Sequence, residues 1–242
     1  MLKFSDINAF RNQSLKPPCR KGFTLSELLM ALTIVGVIAV LTVPVMMNNI
    51  HNKMFATQVK NMAATIEQLA QDQLIAHRTR DLSDTDFGDP DKLLTDKHFA
   101  ITKTCSSSSA AKDCWKTAAT GKDKVTYKTL NKSTYTSGGM SGMAVILKNG
   151  VILSFSKGND AEQALHGGTI KGFFYVDING NDKPNILGRD LFWFWITNKG
   201  HVVGDNYAYS ESKTLEQEVA GCKSSGMYCF DALVDSGWKM DY

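Results

Sequence analysis

The sequence predicts an α+β protein: a long N-terminal helix, apolar in its first half and amphipathic in its second, packed on an antiparallel β-sheet. Three observations carry that reading. An uncharged apolar run from Leu28 to Met47 is followed by apolar residues spaced by three and four, a helical period. Two β-rich runs flank Asn149-Gly150, a dipeptide suited to a tight hairpin turn. A second pair of β-rich runs lies at 172–177 and 190–197.

At 242 residues the chain can bury one good core, or one core plus an appendage. Its 43% hydrophobic and 21% charged residues place it among folded proteins rather than disordered ones. The net charge of +3 is unevenly distributed. Lys3, Arg11, Lys16, Arg20 and Lys21 stand against Asp6 in residues 1–22, so the remainder is slightly acidic. A near-neutral body argues against a general nucleic-acid binder, which needs concentrated Lys and Arg, and no nucleic-acid partner is expected.

The run from Leu28 to Met47 spans roughly 30 Å as a helix, the thickness of a bilayer's hydrocarbon core. The basic cluster precedes it, so the positive-inside tendency puts residues 1–22 in the cytoplasm and everything after Met47 outside. A general secretory signal would place a small-residue cleavage site after the apolar stretch; here the polar Lys21-Gly22 comes immediately before it. Pro44 kinks the helix by deleting one backbone hydrogen bond.

The segment Cys19-Arg-Lys-Gly-Phe-Thr-Leu-Ser-Glu-Leu-Leu resembles the type IV prepilin and type II secretion pseudopilin family. The match lies in a basic residue, Gly22, then Phe23, Thr24, Leu25 and Glu27, followed by the apolar run, and covers about residues 16–50. The resemblance implies a pilin-like fold and a leader (1–22) cut after Gly22 by a membrane aspartic prepilin peptidase. It implies N-methylation of Phe23 and a role for Glu27 in assembly. A carboxylate at the centre of a membrane helix costs roughly 2.5–3.5 kcal/mol and normally has a partner. The amine of Phe23 on a neighbouring subunit would supply one and fix an axial register. A plain membrane anchor with a snorkelling Glu27 is the alternative for that residue alone. The implied function is a non-enzymatic filament subunit, processed in the inner membrane and assembled with other subunits by a pilus or secretion machinery. The alternative is a minor tip subunit acting as adhesin or cargo binder.

Past the transmembrane segment (23–47), Phe55, Val59, Met62, Ile66 and Leu69 form the amphipathic stripe of a helix reaching near Ala76, with residues 48–80 continuing it. His77, Arg78 and Arg80 suit the negative end of its dipole. The outer domain is residues 81–242. Residues 81–124 read as an irregular connection, rich in turn formers and broken at Asp89-Pro90. Strands follow at 143–148, 151–156, 172–177 and 190–197, with a turn at 197–201 into a short strand. A short helix begins near Leu215, ahead of a Cys222–Cys229 loop.

Cys19 lies in the leader, leaving Cys105, Cys114, Cys222 and Cys229. Of three possible pairings, two local bridges are the simplest, and they imply an oxidising compartment. Zinc is the alternative, but there is no CxxC and no histidine at ligand spacing.

Candidate chemistry concentrates in one loop. Asp177, Asn179 and Asn181 alternate as the first ligands of a calcium loop would, with Asp182 and Asp190 nearby. The loop is not an EF-hand, since Gly188 stands where glutamate is needed. Calcium is the candidate ligand; side chain–backbone turns are the competing explanation. His51, His77, His98, His166 and His201 are scattered, and no nucleophile elbow, phosphate loop or zinc-protease motif occurs. The aromatics of 173–175 and 192–195 should divide between the core and the opposite face of the sheet, where a ligand platform competes with packing.

Overall fold

The computed structural model describes residues 22–95, 97–135, 140, 142–159 and 167–242. The leader up to Lys21, with Cys19, and His166 lie outside the described residues. The chain divides into two units, Met1–Met47 and Asn48–Tyr242.

Helix α1 (Leu25–His77) has 53 residues, close to the length expected. In the first unit its side chains find no core: Leu28, Leu29, Leu32, Val35, Ile38 and Leu41 are 51–68% exposed. The hydroxyls there are satisfied within the helix, Thr33 donating to the Leu29 carbonyl at 2.8 Å and Thr42 to that of Ile38 at 2.9 Å. Such bonds suit a segment with no water to offer partners. Pro44 sits inside the helix, where it can give no bond to the Val40 carbonyl.

In the second unit the stripe is buried as its spacing requires. Val59, Ile66, Leu69 and Ala70 have no exposed surface, and Phe55, Met62 and Leu74 keep 8% each. They pack on a six-stranded antiparallel sheet of order β1-β4-β5-β6-β7-β8. Its strands are β1 (Ile101–Cys105), β4 (Ala144–Leu147), β5 (Ile152–Lys157), β6 (Ile170–Asp177), β7 (Leu191–Thr197) and β8 (Val202–Val203). Between β1 and β4, β2 (Tyr127–Lys128) and β3 (Thr134–Tyr135) form a small ribbon. Val145, Leu153, Phe155, Phe174, Val176, Phe194 and Ile196 supply the helix-facing side. The helix is also stitched to the β7–β8 turn: Gln71 Nε2 donates to the Lys199 carbonyl at 3.1 Å, and the Val202 N–H to Glu67 Oε1 at 2.9 Å.

The opposite side of the sheet is also covered. Trp115, Tyr127, Cys105 and Cys114 form a second core against Ala144, Ile152, Tyr175 and Leu191. The expectation of an irregular region at 81–124 therefore needs correction. It holds α2 (Pro90–Leu94), α3 (Ala110–Asp113) and the edge strand β1, paired with β4. Strand β1 is solvated over Thr102–Thr104 and buried only at Cys105, so it lacks the alternation that marks a half-buried strand.

The C-terminal elements are α4 (Asp205–Ala208), α5 (Leu215–Ser225) and α6 (Cys229–Asp235). Helix α5 starts with a Thr214–Gln217 capping box and runs through Cys222 instead of stopping before it. Left-handed Gly226 ends the helix, its N–H bonding the Cys222 carbonyl.

Strands β5 and β6 come together over Gly172. A Cβ there would run into the Ser156 carbonyl oxygen and stand 2.7 Å from the Phe155 ring. Gly172→Ala is expected to destabilise the folded chain by about 1–3 kcal/mol through overpacking. That is a fall in Tm of several degrees by circular dichroism in non-ionic detergent. Gly36→Ala, whose new methyl meets nothing within 4 Å, should leave the melt unchanged.

Candidate functional site

The start of α1 is built from four residues. Gly22 is exposed with open space around it, and Phe23 is 87% exposed, so the peptide bond between them is accessible. Thr24 and Glu27 then close on each other. Glu27 Oε2 accepts from the Thr24 N–H and from the Thr24 hydroxyl, each at 2.8 Å, and Thr24 Oγ1 accepts from the Glu27 N–H at 3.2 Å. This is a capping box, which satisfies donors left orphaned at a helix N-terminus. The sequence signal was present in Thr24-Leu-Ser-Glu27, a T-x-x-E pattern ahead of an apolar run. Glu27 thus has a role within its own chain that sequence reasoning missed.

The four cysteines pair locally, Cys105 with Cys114 (S–S 2.10 Å) and Cys222 with Cys229 (2.00 Å). Both bridges bear on the loop between β6 and β7. Asn181 Nδ2 donates to the Cys114 carbonyl at 2.8 Å. Gly188, left-handed at φ 78°, lies so close to Cys222 Sγ that a side chain there would collide with it. The Tyr242 hydroxyl donates to the Gly188 carbonyl at 3.0 Å.

Within that loop Asp177 and Asp190 have no exposed surface. Asp177 accepts from the Tyr127 hydroxyl at 2.5 Å and from the Asn179 N–H at 3.2 Å. Burial, and then the Asp190 charge, push its carboxyl well above the usual range. Asp190 accepts from the N–H groups of Asn185 and Ile186, both at 2.5 Å. Burial raises its pKa to about 6 despite those bonds. Asn179 Nδ2 donates to the carbonyls of Asp182 and Lys183, each at 3.0 Å. The side-chain oxygens of Asn179, Asn181 and Asn185 are buried without a partner. Asp182 itself is exposed and enters through its carbonyl.

Two buried carboxylates and three buried amide oxygens without a hydrogen-bond partner thus lie in one loop, oxygen groups of the kind a hard cation takes, and a pair of buried acids is costly by itself. Among the described residues no group of three or more His, Cys, Asp or Glu side chains could hold a metal, so such a site would lean on amides. Asn185 adds a buried amide oxygen that the sequence reading did not include.

The aromatics divide as expected. Phe174, Phe192 and Phe194 enter the helix-facing core. Phe173, Tyr175, Trp193 and Trp195, with Tyr135 and Tyr209, surround a hollow of about 260 Å³ on the other side. The indole N–H groups of Trp193 and Trp195 both donate to Asp205 Oδ1, at 3.1 and 2.8 Å.

With this geometry in place, comparison with known proteins bears on the N-terminus. Residues 18–43 match the prokaryotic N-terminal methylation motif, the prepilin-type cleavage and methylation segment. A long N-terminal helix with an antiparallel six-stranded sheet is consistent with a pilin-like fold. No curated protein and no solved structure matches the chain.

A second acidic group lies behind Trp193 and Trp195. Asp231 accepts from the N–H groups of Asp205 and Asn206, at 2.7 and 3.3 Å, and Glu218 from Asn206 Nδ2. Burial, then Asp205, raises Asp231 to about 6; burial, then Asp235 and Asp231, raises Glu218 to about 7. Raised carboxyls hold protons in the folded state that the unfolded chain releases. The stability they contribute is present below the unfolded values and lost as pH rises through about 6–7. Tm in non-ionic detergent should therefore fall between about pH 5 and pH 8. Glu218→Gln should flatten that slope, and an unchanged slope would remove Glu218 from the account.

Proposed function

We propose that this chain is a filament subunit of the type IV pilus or type II secretion pseudopilus kind, cut between Gly22 and Phe23 and N-methylated at Phe23. The observation that carries the reading is the match of residues 18–43 to the methylation motif on an accessible Gly22–Phe23 bond. The apolar half of α1 supports it, since that surface needs lipid or other apolar helices around it. In this reading the leader stays cytoplasmic and residues after Met47 face outward. A prepilin peptidase removes the leader, and the helix then passes from bilayer to filament in the hands of an assembly machinery.

Glu27 acts twice in this scheme. Before cleavage it caps its own helix through Oε2. In the filament its carboxylate also faces the new amine of a neighbouring Phe23, fixing the stagger between subunits. The deciding measurement is the mass of the mature N-terminal peptide after co-expression with a prepilin peptidase. Wild type should give a peptide that begins at Phe23 with one added methyl group. Gly22→Ala should abolish or slow the cut. An uncut wild-type leader would leave a plain membrane-anchored domain.

The loop at Asp177–Asp190 is proposed to hold calcium as a structural clamp. Asp177 and Asp190 would supply the charge, and Asn179, Asn181 and Asn185 neutral oxygens. When bound, calcium would neutralise the two buried acids and tie the turn between β6 and β7. Binding at 100 times Kd adds about 2.7 kcal/mol to folding. The full chain in detergent should melt several degrees higher in millimolar calcium than in chelator. Asp190→Asn should lose that difference, and an equal Tm in both buffers would rule the clamp out.

A further inference from the structure

The layer covering the far side of the sheet contains a recess of about 680 Å³ whose charge is out of keeping with the rest of the chain. Lys116, Lys122, Lys124, Lys128, Lys132 and Lys183 line it against a single acidic residue, Asp123. Outside the basic leader the chain is slightly acidic, so the concentration is local. Five of the six are exposed and Lys116 is half-buried. Among the described residues none of them forms an ion pair. Six ammonium groups around one hollow repel each other, and within a Debye length that repulsion is not screened away.

The walls of the recess are held in place. The Val125 N–H bonds the Lys116 carbonyl at 3.0 Å, the Lys128 N–H that of Asn185 at 3.0 Å, and the Leu187 N–H that of Lys128 at 2.8 Å. Asn181 fastens one wall to Cys114, and with it to the Cys105–Cys114 bridge. Lys116 and Lys132 adopt left-handed backbone, at φ 54° and 68°. Glycine or asparagine would take those positions at lower cost, yet both are lysines that line the same recess. Charge concentrated in a preformed hollow, with unfavourable backbone retained at two of its cations, calls for an anionic occupant.

We propose that this basic recess binds acidic polysaccharide, a thin hydroxylated chain bearing carboxylate or phosphate groups. The lining sets the class of partner. Among the described residues no aromatic ring borders the recess, so a nucleic-acid strand would find no platform there for its bases. Nor, among the described residues, does any arginine border it, so the fork that reads phosphate or guanine edges in two bonds is missing from that lining. A hollow of this volume admits a small ligand or a single chain segment, not a duplex. Flexible lysines tolerate variable spacing of anions along a glycan. The exposed Thr126 gives the same recess a hydroxyl for bonds to sugar hydroxyls. The inference does not depend on filament assembly.

The test uses the full chain in non-ionic detergent, calcium held constant, and fluorescence anisotropy with end-labelled probes. These are an oligogalacturonate, a glycerol-phosphate oligomer, neutral dextran of equal length, and single-stranded and duplex DNA. One or both acidic probes should bind at low salt and be released at about 0.5 M salt, where screening is nearly complete. Dextran should not bind. Lys124→Glu/Lys128→Glu/Lys183→Glu should weaken binding at least tenfold. Lys148→Glu/Lys199→Glu/Lys239→Glu, the same charge change on exposed lysines elsewhere, should bind like wild type. Where the first triple alters Tm, Lys124→Glu alone should give a several-fold loss. The proposal is overturned if neither acidic probe binds, if both triples weaken binding equally, if dextran binds as well, or if either DNA binds as tightly as the better acidic glycan.

Discussion

An uncharged helix that is apolar on every side cannot be left in water. From Leu28 to Val43 the side chains of α1 find no core of their own, and the large aliphatic groups stay more than half exposed. Covering each such group is worth roughly 1.5–3 kcal/mol. Summed over the run, that far exceeds the few kcal/mol by which a domain is stable. Such a segment fits a single-pass membrane anchor, where lipid would cover it. Everything polar near it is arranged accordingly: hydroxyls bonded back to the helix and a carboxylate folded onto its own N-cap.

The same helix organises the outer unit by a different rule. Its residues from Phe55 to Leu74 alternate between an apolar stripe and a solvated face, so sheet packing needs only one side. That leaves the far side of the sheet to be covered by other means. Short elements do this, and they bury little surface each. The Cys105–Cys114 bridge adds a constraint there, with Trp115 and Tyr127, while Cys222–Cys229 lies in the helix-facing core against Gly188. Both meet the β6–β7 loop, which explains how two buried acids and three unpartnered amide oxygens are kept in one short segment. Such a loop is unfavourable by itself and persists because its surroundings over-determine it.

What could be read from the sequence follows from how local each signal is. The α1 stripe, the Asn149-Gly150 hairpin and the β6–β7 pair declare themselves through periodicity and turn chemistry within a few residues. Strand β1 does not, because Ile-Thr-Lys-Thr-Cys sits at a sheet edge and takes its pairing from β4, some forty residues on. Asp177 and Asp190 stood out in their loop, but Tyr127, the partner of Asp177, comes from a different layer and no spacing rule connects the two. The basic recess was hidden for the same reason. Its lysines are spread from 116 to 183 and form no charge run; only the fold brings them together. Gly188 looked like a defect in a calcium motif, and the structure gives it a steric cause, the sulfur of Cys222.

The two roles proposed for Glu27 would also account for an order of events in the proposed processing. While the leader is attached, five basic residues precede the helix and oppose its withdrawal from the cytoplasmic side, since charged groups cross hydrocarbon at a cost of several kcal/mol. Cutting at Gly22–Phe23 removes that barrier and leaves one ammonium group beside the capping box. The carboxylate that accepts from Thr24 through Oε2 keeps Oε1 outside those bonds, so pairing with a new amine need not dismantle the cap. A single acidic side chain can then secure the helix start in the precursor and set the register in the polymer. Aspartate, one carbon shorter, would reach neither the Thr24 N–H nor a neighbour without giving up the other. In the proposed scheme the length of the glutamate side chain therefore counts as well as its charge.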